Sequence, residues 1–165
     1  LNQIEDNGIR CISSIDKFKG PGKKTDPCPI ANLYSLKAFT LKKEYHNNIK
    51  INNILEFLLS HWENQKKQKF FLFGIGTDFK KLKYPNIWYD ILHFADVLSS
   101  FKHIHSDKRF CEIIDFILQK RNSDGFFTSE SIYREYSNFD FGQKKNISDF
   151  LSLKVYEIMI RIGKI

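Results

Sequence analysis

The sequence is poor in cysteine, which limits how the chain can be stabilised and where it can work. Its 165 residues include 3 cysteines, Cys11, Cys28 and Cys111. These form no Cys-x-x-Cys pair, and an odd number of cysteines cannot complete a disulfide framework. Because such usage is typical of proteins in a reducing compartment, the sequence predicts a cytoplasmic location.

The sequence also lacks an apolar run long enough to cross a bilayer, which takes roughly 20 residues. Even residues 51–59 are interrupted by Asn52, Asn53 and Glu56. The first residues have neither the basic start nor the apolar centre of a secretory signal, and the chain begins with Leu1 rather than Met. We therefore expect no membrane span, and we expect the chain to be a piece of a longer one.

Positive charge, in contrast, is in excess, with 26 Lys and Arg against 19 Asp and Glu and a formal net charge of +7. Most lysines stand in short groups between apolar segments, which favours solvated loops. The same excess is typical of proteins that bind nucleic acid through its phosphates. A solvated surface is the favoured interpretation, and nucleic-acid binding stays open. The groups are Lys17/Lys19/Lys23/Lys24, Lys66/Lys67/Lys69, Lys80/Lys81/Lys83 and Lys144/Lys145.

Two segments are apolar nearly all round, which is typical of helices packed on several sides. The first should open at Asp26, a good N-cap, with Pro27 in the first turn. The second covers residues 87–101. We interpret both as inner helices. The first helix carries the apolar stripe Ala31, Tyr34, Ala38, Leu41 and Tyr45, and Ile30, Leu33 and Leu36 lie on another face.

Two other segments, residues 51–62 and 110–118, carry a single apolar stripe and are interpreted as outer helices. The second of these follows a Ser106/Asp107 cap and should stop before Gly125, a residue that can take a positive φ. A last helix should begin at Ser148. The pattern therefore predicts inner and outer helices in alternation.

The inner helices align with one another at a spacing of about 60 residues, a length typical of helix-pair repeats. The aligned segments are residues 33–39, 91–97 and 150–156. The sequence predicts an all-α fold of helical hairpin repeats in a single domain over residues 1–165. The aromatic connection 128–145 should pack across an end of the array, and residues 70–76 should form an ordered turn rather than a short strand.

Several motifs resemble one superfamily: Gln119-x5-Gly125-x-Phe127, residues 26–33, His61-Trp62-Glu63, residues 73–77, Tyr84-Pro85-x3-Tyr89-Asp90 and residues 139–145. With them the chain resembles the α/α-toroid superfamily of squalene and terpene cyclases and protein prenyltransferase β-subunits. It looks closest to uncharacterised prokaryotic cyclase-like proteins of that superfamily. The resemblance implies part of a ring of inner and outer helices, completed by a second copy of the chain or by a further segment. It also implies a concave pocket for an apolar, isoprenoid-type molecule, lined by Tyr34, Trp88, Tyr89 and Phe94.

The chain departs from that superfamily where the chemistry is concentrated. The cyclases protonate their substrate with an Asp-x-Asp-Asp motif, which is absent, and no carboxylates cluster to hold Mg²⁺. Asp26-x-Cys28 resembles the zinc-binding pair of prenyltransferase β-subunits, for which His93 would supply the third ligand. The favoured interpretation makes Asp26 a helix cap and Cys28 a buried small apolar residue, without zinc.

Asp90 and His93 are the candidate catalytic residues. They lie within one helical turn and could meet as an (i, i+3) acid/base pair. A polar pair on an apolar helix is either a site of this kind or a hydrogen-bonded part of the core, and both interpretations stay open.

The other histidines are better explained by structure than by chemistry. His61 should end an outer helix, where the helix dipole favours a cation. His103-x-His105 matches no structural zinc pattern, so a solvated loop is expected.

Two functions remain. The first is a cyclase-like or prenyltransferase-like toroid domain with a pocket for an apolar small molecule. The second is a non-enzymatic helical-repeat module that binds protein or nucleic acid through its concave or basic surface.

Overall fold

The computed structural model describes residues 4, 8–10, 26–67, 69–70 and 73–165. Within these residues the regular structure is helical, apart from one isolated antiparallel bridge between Arg10 and Pro27. The predicted all-α class is therefore confirmed. The α-helices are α1 (Pro29–Phe39), α2 (Ile49–Glu63), α3 (Ile91–Leu98), α4 (Lys108–Leu118) and α5 (Asp149–Arg161).

The chain divides into two compact units, Leu1–Gly76 and Thr77–Ile165. In the first unit α1 packs on α2. In the second unit α3 packs on both α4 and α5. The expectation of one domain over residues 1–165 stays a prediction.

The start of α1 differs from the prediction. The helix begins at Pro29 with Cys28 as its N-cap, three residues after Asp26. Two prolines explain the difference: Pro29 suits the first helical position, and the residue before a proline is held extended, as Cys28 is with φ −87° and ψ 113°. The buried residues of α1 are Pro29, Asn32, Leu33 and Leu36. Leu33 and Leu36 of the predicted second face are therefore buried, whereas the predicted stripe through Ala31 and Tyr34 is wrong.

The helices with clear caps follow the prediction closely. Asn48 caps α2, Asp107 caps α4 and Ser148 caps α5, each through a side-chain oxygen that accepts a backbone N–H of the first turn. The single stripe of α2 is buried as predicted. It comprises Ile51, Ile54, Leu55, Leu58, Leu59 and Trp62.

The helix α3 is shorter than predicted. Asp90 caps it, so the helix begins at Ile91 and not at Ile87. Ile87 and Trp88 lie outside it and are 43% and 45% exposed. The expected burial on nearly all sides is confirmed, because seven of the eight residues from Ile91 to Leu98 are buried.

The α1–α2 and α3–α4 hairpins are joined in a similar way, and a hydroxyl contact and a 3-10 turn recur 59 residues later. The Thr40 hydroxyl donates to the Lys37 carbonyl at 2.8 Å, and the Ser99 hydroxyl donates to the Asp96 carbonyl at 2.7 Å. A 3-10 turn follows each, Lys43–Tyr45 in the first hairpin and Lys102–Ile104 in the second. The two hairpins therefore share one local construction.

A histidine completes each joint. Nε2 of His46 lies 3.1 Å from the Phe39 carbonyl, and Nε2 of His105 lies 2.7 Å from the Ser99 carbonyl. The His105 ring also stacks on Phe110 at 6.0 Å. His103 is exposed, as expected of a solvated loop, whereas the expectation is wrong at His105, because its ring is held by backbone and aromatic contacts.

The turn that follows α4 contains the glycine that the sequence predicts as the stop of α4. Gly125 does take a positive φ, +92°. However, α4 already ends at Leu118, and Gly125 belongs to a separate turn that begins at Asn122. In the predicted turn 70–76, residues 71 and 72 lie outside the described residues, and those described there form no strand.

Candidate functional site

Asp90 is the most unusual polar residue of the second unit. Its side chain is fully buried, and Oδ1 accepts the backbone N–H of His93 at 3.0 Å. Oδ2 is also buried and has no hydrogen-bond partner among the described residues. A buried carboxylate oxygen without a donor is unfavourable, which makes this residue a candidate for a role beyond packing.

The charge state of Asp90 depends on its burial. Burial raises the pKa of Asp90 to about 7, against the hydrogen bond from the His93 amide and the positive charge of Lys83, both of which lower it. A carboxyl group with a pKa near neutrality can exchange protons under physiological conditions.

Lys83 is buried near Asp90 but is held by a different carboxylate. Its side chain is 5% exposed, and its Nζ lies 3.0 Å from Oδ2 of Asp78, a side chain that is 69% exposed. The hydrogen bond from Lys83 lowers the pKa of Asp78. The buried Lys83 ammonium is thus paired with the exposed Asp78 carboxylate. The cost of removing the Asp90 carboxylate from water is therefore largely uncompensated.

His93 contacts Asp90 through its backbone, so the predicted side-chain pair takes a different form. Its ring is buried, and Nδ1 lies 2.6 Å from the carbonyl oxygen of Trp88. Because a carbonyl can only accept, Nδ1 carries the proton. The two candidate catalytic residues are therefore joined as a helix cap.

Two predicted pocket residues lie beside this cap in an aromatic cluster. Tyr89 and Phe94 are buried and pack on Phe79, with ring centroids 5.0 Å and 5.8 Å from it. Trp88 is 45% exposed, and Tyr34 belongs to the unit Leu1–Gly76, where it is 43% exposed. The second unit thus brings Tyr89 and Phe94 together with Asp90 as part of its core.

The candidate zinc ligands are divided between the two units. Among the residues that the structure describes, no three His, Cys, Asp or Glu side chains could hold a metal ion together. Asp26 and Cys28 belong to Leu1–Gly76, and His93 belongs to Thr77–Ile165. Cys28 is buried as expected, whereas the expected capping role of Asp26 is wrong because Cys28 itself is the N-cap.

His61 is a neutral core residue and not the expected dipole-stabilised cation. Its ring is fully buried in α2, with Phe57 at 6.5 Å and Phe70 at 4.8 Å. Burial lowers the pKa of His61 to about 4. Desolvation therefore outweighs the helix dipole at this position.

A second feature, which the sequence did not predict, is an exposed apolar surface on the second unit. We call Phe139, Phe150 and Leu153 the aromatic surface; they are 54%, 37% and 52% exposed. Phe141 lies beneath it, 5.2 Å from Phe139 and 5.4 Å from Phe150 between ring centroids. Leu153 follows Phe150 by one turn of α5, on the same helix face.

The loop under the aromatic surface is held rigidly. Oδ2 of Asp140 accepts the Ser148 hydroxyl and the Phe150 amide, both at 2.9 Å. Burial alone would raise the pKa of Asp140, but these two hydrogen bonds outweigh it and the pKa is lowered. Oε1 of Gln143 accepts the backbone N–H groups of Lys145 and Asn146 at 2.7 Å and 2.8 Å.

The loop also contains a glycine that its geometry requires. A Cβ at Gly142 would overlap the backbone carbonyl of Tyr136. Together with Asp140 and Gln143, Gly142 explains much of the motif in residues 139–145, whose function in the structure is to shape this loop. The signal in the sequence was the Asp and Gly between aromatic residues, which is typical of a tight turn.

Comparison of the chain with models of protein families, with curated proteins and with solved structures finds no match. Within the described part of the chain, no helix is both long enough and apolar enough to cross a membrane.

Proposed function

We propose that the chain is a helical-repeat module that binds a protein partner through the aromatic surface. The observation that carries the proposal is the exposure of Phe139, Phe150 and Leu153 on a loop and helix that are otherwise tightly held. Exposed apolar groups that cluster are typical of interaction sites, and aromatic residues are enriched at the centres of interfaces.

Rigidity supports a binding role for this surface. The hydrogen bonds of Asp140 and Gln143 fix the loop before a partner arrives. A preordered surface loses little conformational entropy on binding, which favours affinity. Lys154, whose Nζ lies 5.4 Å from the centroid of the Phe150 ring, adds a charged rim.

The distribution of charge favours protein over nucleic acid as the partner. Of the 26 Lys and Arg residues, 12 lie in Leu1–Gly76 against 7 Asp and Glu, whereas Thr77–Ile165 carries 14 against 12. Lys154 is also paired with Glu157 at 2.8 Å. The unit that presents the aromatic surface is thus nearly neutral, which does not suit a phosphate backbone.

The repeat architecture is part of the same proposal. The matching joints of the two hairpins support an α/α-toroid type of array, in which α5 begins a third hairpin. A second copy or a further segment would complete the ring. Native mass spectrometry tests this step, since a discrete dimer supports completion by a second copy.

The binding role is tested with a photo-reactive amino acid placed at Leu153, with Glu112 on α4 as the control position because its side chain is 51% exposed. We expect a discrete protein adduct at position 153 only. The partner, once purified, should bind the wild-type chain and lose at least tenfold in affinity for Leu153→Asp. Equal adducts at both positions would contradict the proposal.

The salt dependence of binding distinguishes a protein partner from a nucleic acid. Binding to a phosphate backbone weakens steeply as ionic strength rises, while burial of an apolar surface changes little. If the captured species is nucleic acid and its binding collapses between 50 and 200 mM salt, roughly the range in which such contacts are lost, the basic-surface alternative replaces this proposal.

A second function is favoured by one observation, the full burial of the Asp90 carboxyl group beside Tyr89 and Phe94, which raises its pKa. An acid of this kind in an apolar environment suits proton transfer to an apolar, isoprenoid-type molecule. Native mass spectrometry of the purified protein would reveal a retained ligand of that size or a bound zinc. Asp90→Asn should then remove ligand binding and leave the helical circular dichroism unchanged. An equal loss of folding would argue against this function.

A further inference from the structure

We propose that Asp90 is a pH-dependent switch at the start of α3, and that its proton controls the placement of the exposed Ile87–Trp88 segment. The inference is independent of the aromatic surface and of any bound ligand. It rests on a chain of contacts that leads from a buried carboxyl group to a residue at the surface.

The chain of contacts passes through one residue. Asp90 holds the His93 backbone N–H at 3.0 Å, and the His93 ring holds the Trp88 carbonyl at 2.6 Å. His93 is buried, whereas Ile87 and Trp88 are 43% and 45% exposed. A change in the cap therefore acts on the residue that anchors the exposed segment.

The protonated and the ionised forms of the Asp90 carboxyl group require different surroundings. As a carboxylic acid it is neutral and accepts the capping N–H through Oδ1. After it releases its proton to solvent, Oδ2 carries charge in a buried position without a donor among the described residues. A buried charge of this kind draws in a counter-charge or moves toward water.

Lys83 is the counter-charge that can respond. Its Nζ lies 3.0 Å from Oδ2 of Asp78, whose side chain is 69% exposed and can be hydrated if Lys83 leaves it. The groups that act on Asp90 are Lys83 and Asp78 from the preceding loop and the amides of Leu92 and His93 from α3, with the His93 imidazole in the same turn. Ionisation of Asp90 should thus pull Lys83 inward and shift the cap.

Burial determines the pH range in which Asp90 changes its protonation state. Burial holds the pKa of Asp90 at about 7, so the neutral, protonated form dominates in mildly acidic solution. The ionised form dominates above neutrality. The Ile87–Trp88 segment should therefore change its environment as pH passes through the neutral range.

Nuclear magnetic resonance of the full chain tests the switch. The Asp90 carboxyl carbon and the Trp88 indole N–H are followed from pH 5 to pH 9, roughly two units on either side of the pKa. Trp62→Phe identifies which of the 2 tryptophan signals belongs to Trp88. We expect both signals to titrate with one midpoint near neutrality, together with the His93 amide.

Three variants decide the outcome. Asp90→Asn keeps an acceptor at the cap and should abolish the Trp88 transition; Asp90→Ser replaces it if the first variant does not fold. Lys83→Met should raise the midpoint and Asp78→Asn should lower it, since each changes the charge facing Asp90. An Asp90 that titrates near 4, or a Trp88 transition that survives in Asp90→Asn and so belongs to His93, would overturn the proposal.

Discussion

At the scale of single residues, burial decides which polar groups keep their usual chemistry. Asp90 and His61 are both fully buried, and burial favours the neutral form of each. For the acid this means a raised pKa, and for the base a lowered one. The same physical cause therefore produces opposite charge changes in the two units.

Gly142 provides a test at this scale. Gly142→Ala should destabilise the second unit by about 1–3 kcal/mol, because the added methyl group overlaps the Tyr136 carbonyl in a loop that cannot yield easily. Chemical denaturation followed by circular dichroism measures the change in the free energy of unfolding.

The matched control is Gly76→Ala, where an added Cβ meets nothing within 4 Å. This variant should unfold at nearly the wild-type denaturant concentration. Equal losses for the two variants would show that the close approach at Gly142 relaxes.

At the scale of elements, a buried amide attaches residues 8–10 to α1. Asn32 is fully buried, and its side chain exchanges two hydrogen bonds with the backbone of Ile9, at 2.8 Å and 2.9 Å. It also donates to the Cys28 carbonyl at 2.8 Å, at the start of the helix. The Asn32 side chain thus adds to the backbone hydrogen bond that the Cys28 N–H donates to the Ile9 carbonyl at 2.8 Å.

Asn32→Ala should weaken this attachment. It leaves the Ile9 N–H without its acceptor, whereas the carbonyls of Ile9 and Cys28 keep the backbone N–H groups of residues 28 and 32, so the first unit should lose about 1–3 kcal/mol of stability. Hydrogen exchange at the Ile9 amide should quicken at least tenfold. Asn52→Ala on α2 is the control, since Oδ1 of Asn52 has no hydrogen-bond partner among the described residues; similar exchange rates in both variants would contradict the assigned role.

The elements that could be predicted from the sequence are those with local signals. The starts of α4 and α5 were predicted because Asp107 and Ser148 cap them through their own side chains. The start of α1 was not, because two prolines compete for the first turn. For α3 the sequence predicts a start at Ile87, because Ile87 and Trp88 fit a helical apolar pattern, whereas the helix begins at Ile91.

The candidate site was predicted in part for the same reason. Asp90, His93, Tyr89 and Phe94 do lie together, because they are close in sequence. The exposure of Phe139, Phe150 and Leu153 could not be predicted, since apolar residues at helical spacing look like core until the packing of the second unit is known.

At the scale of the whole molecule, the two units should respond to pH in opposite directions. The folded His61 has a pKa of about 4, below the ordinary 6.5, so the first unit loses stability as pH falls from 6.5 toward 4. The folded Asp90 has a pKa of about 7, above the ordinary 3.8, so the second unit loses stability as pH rises from 4 through 7. Each contribution is on the order of a few kcal/mol.

Single-tryptophan variants measure this, because Trp62 lies in the first unit and Trp88 in the second. Between pH 7 and pH 5, denaturation of Trp88→Phe should report a loss of stability and Trp62→Phe a gain. His61→Asn and Asp90→Asn should flatten the respective slopes. Slopes of the same sign in the two units would show that other groups dominate.

The shared joint of the hairpins has a consequence for how the molecule can vary. Each joint runs for nine residues from helix cap to helix cap, Thr40 to Asn48 and Ser99 to Asp107. The length of this connection sets the rotational phase of the helix that follows. One inserted residue would turn the next apolar stripe by about 100° away from its core. Insertions and deletions should therefore be rare in these two connections.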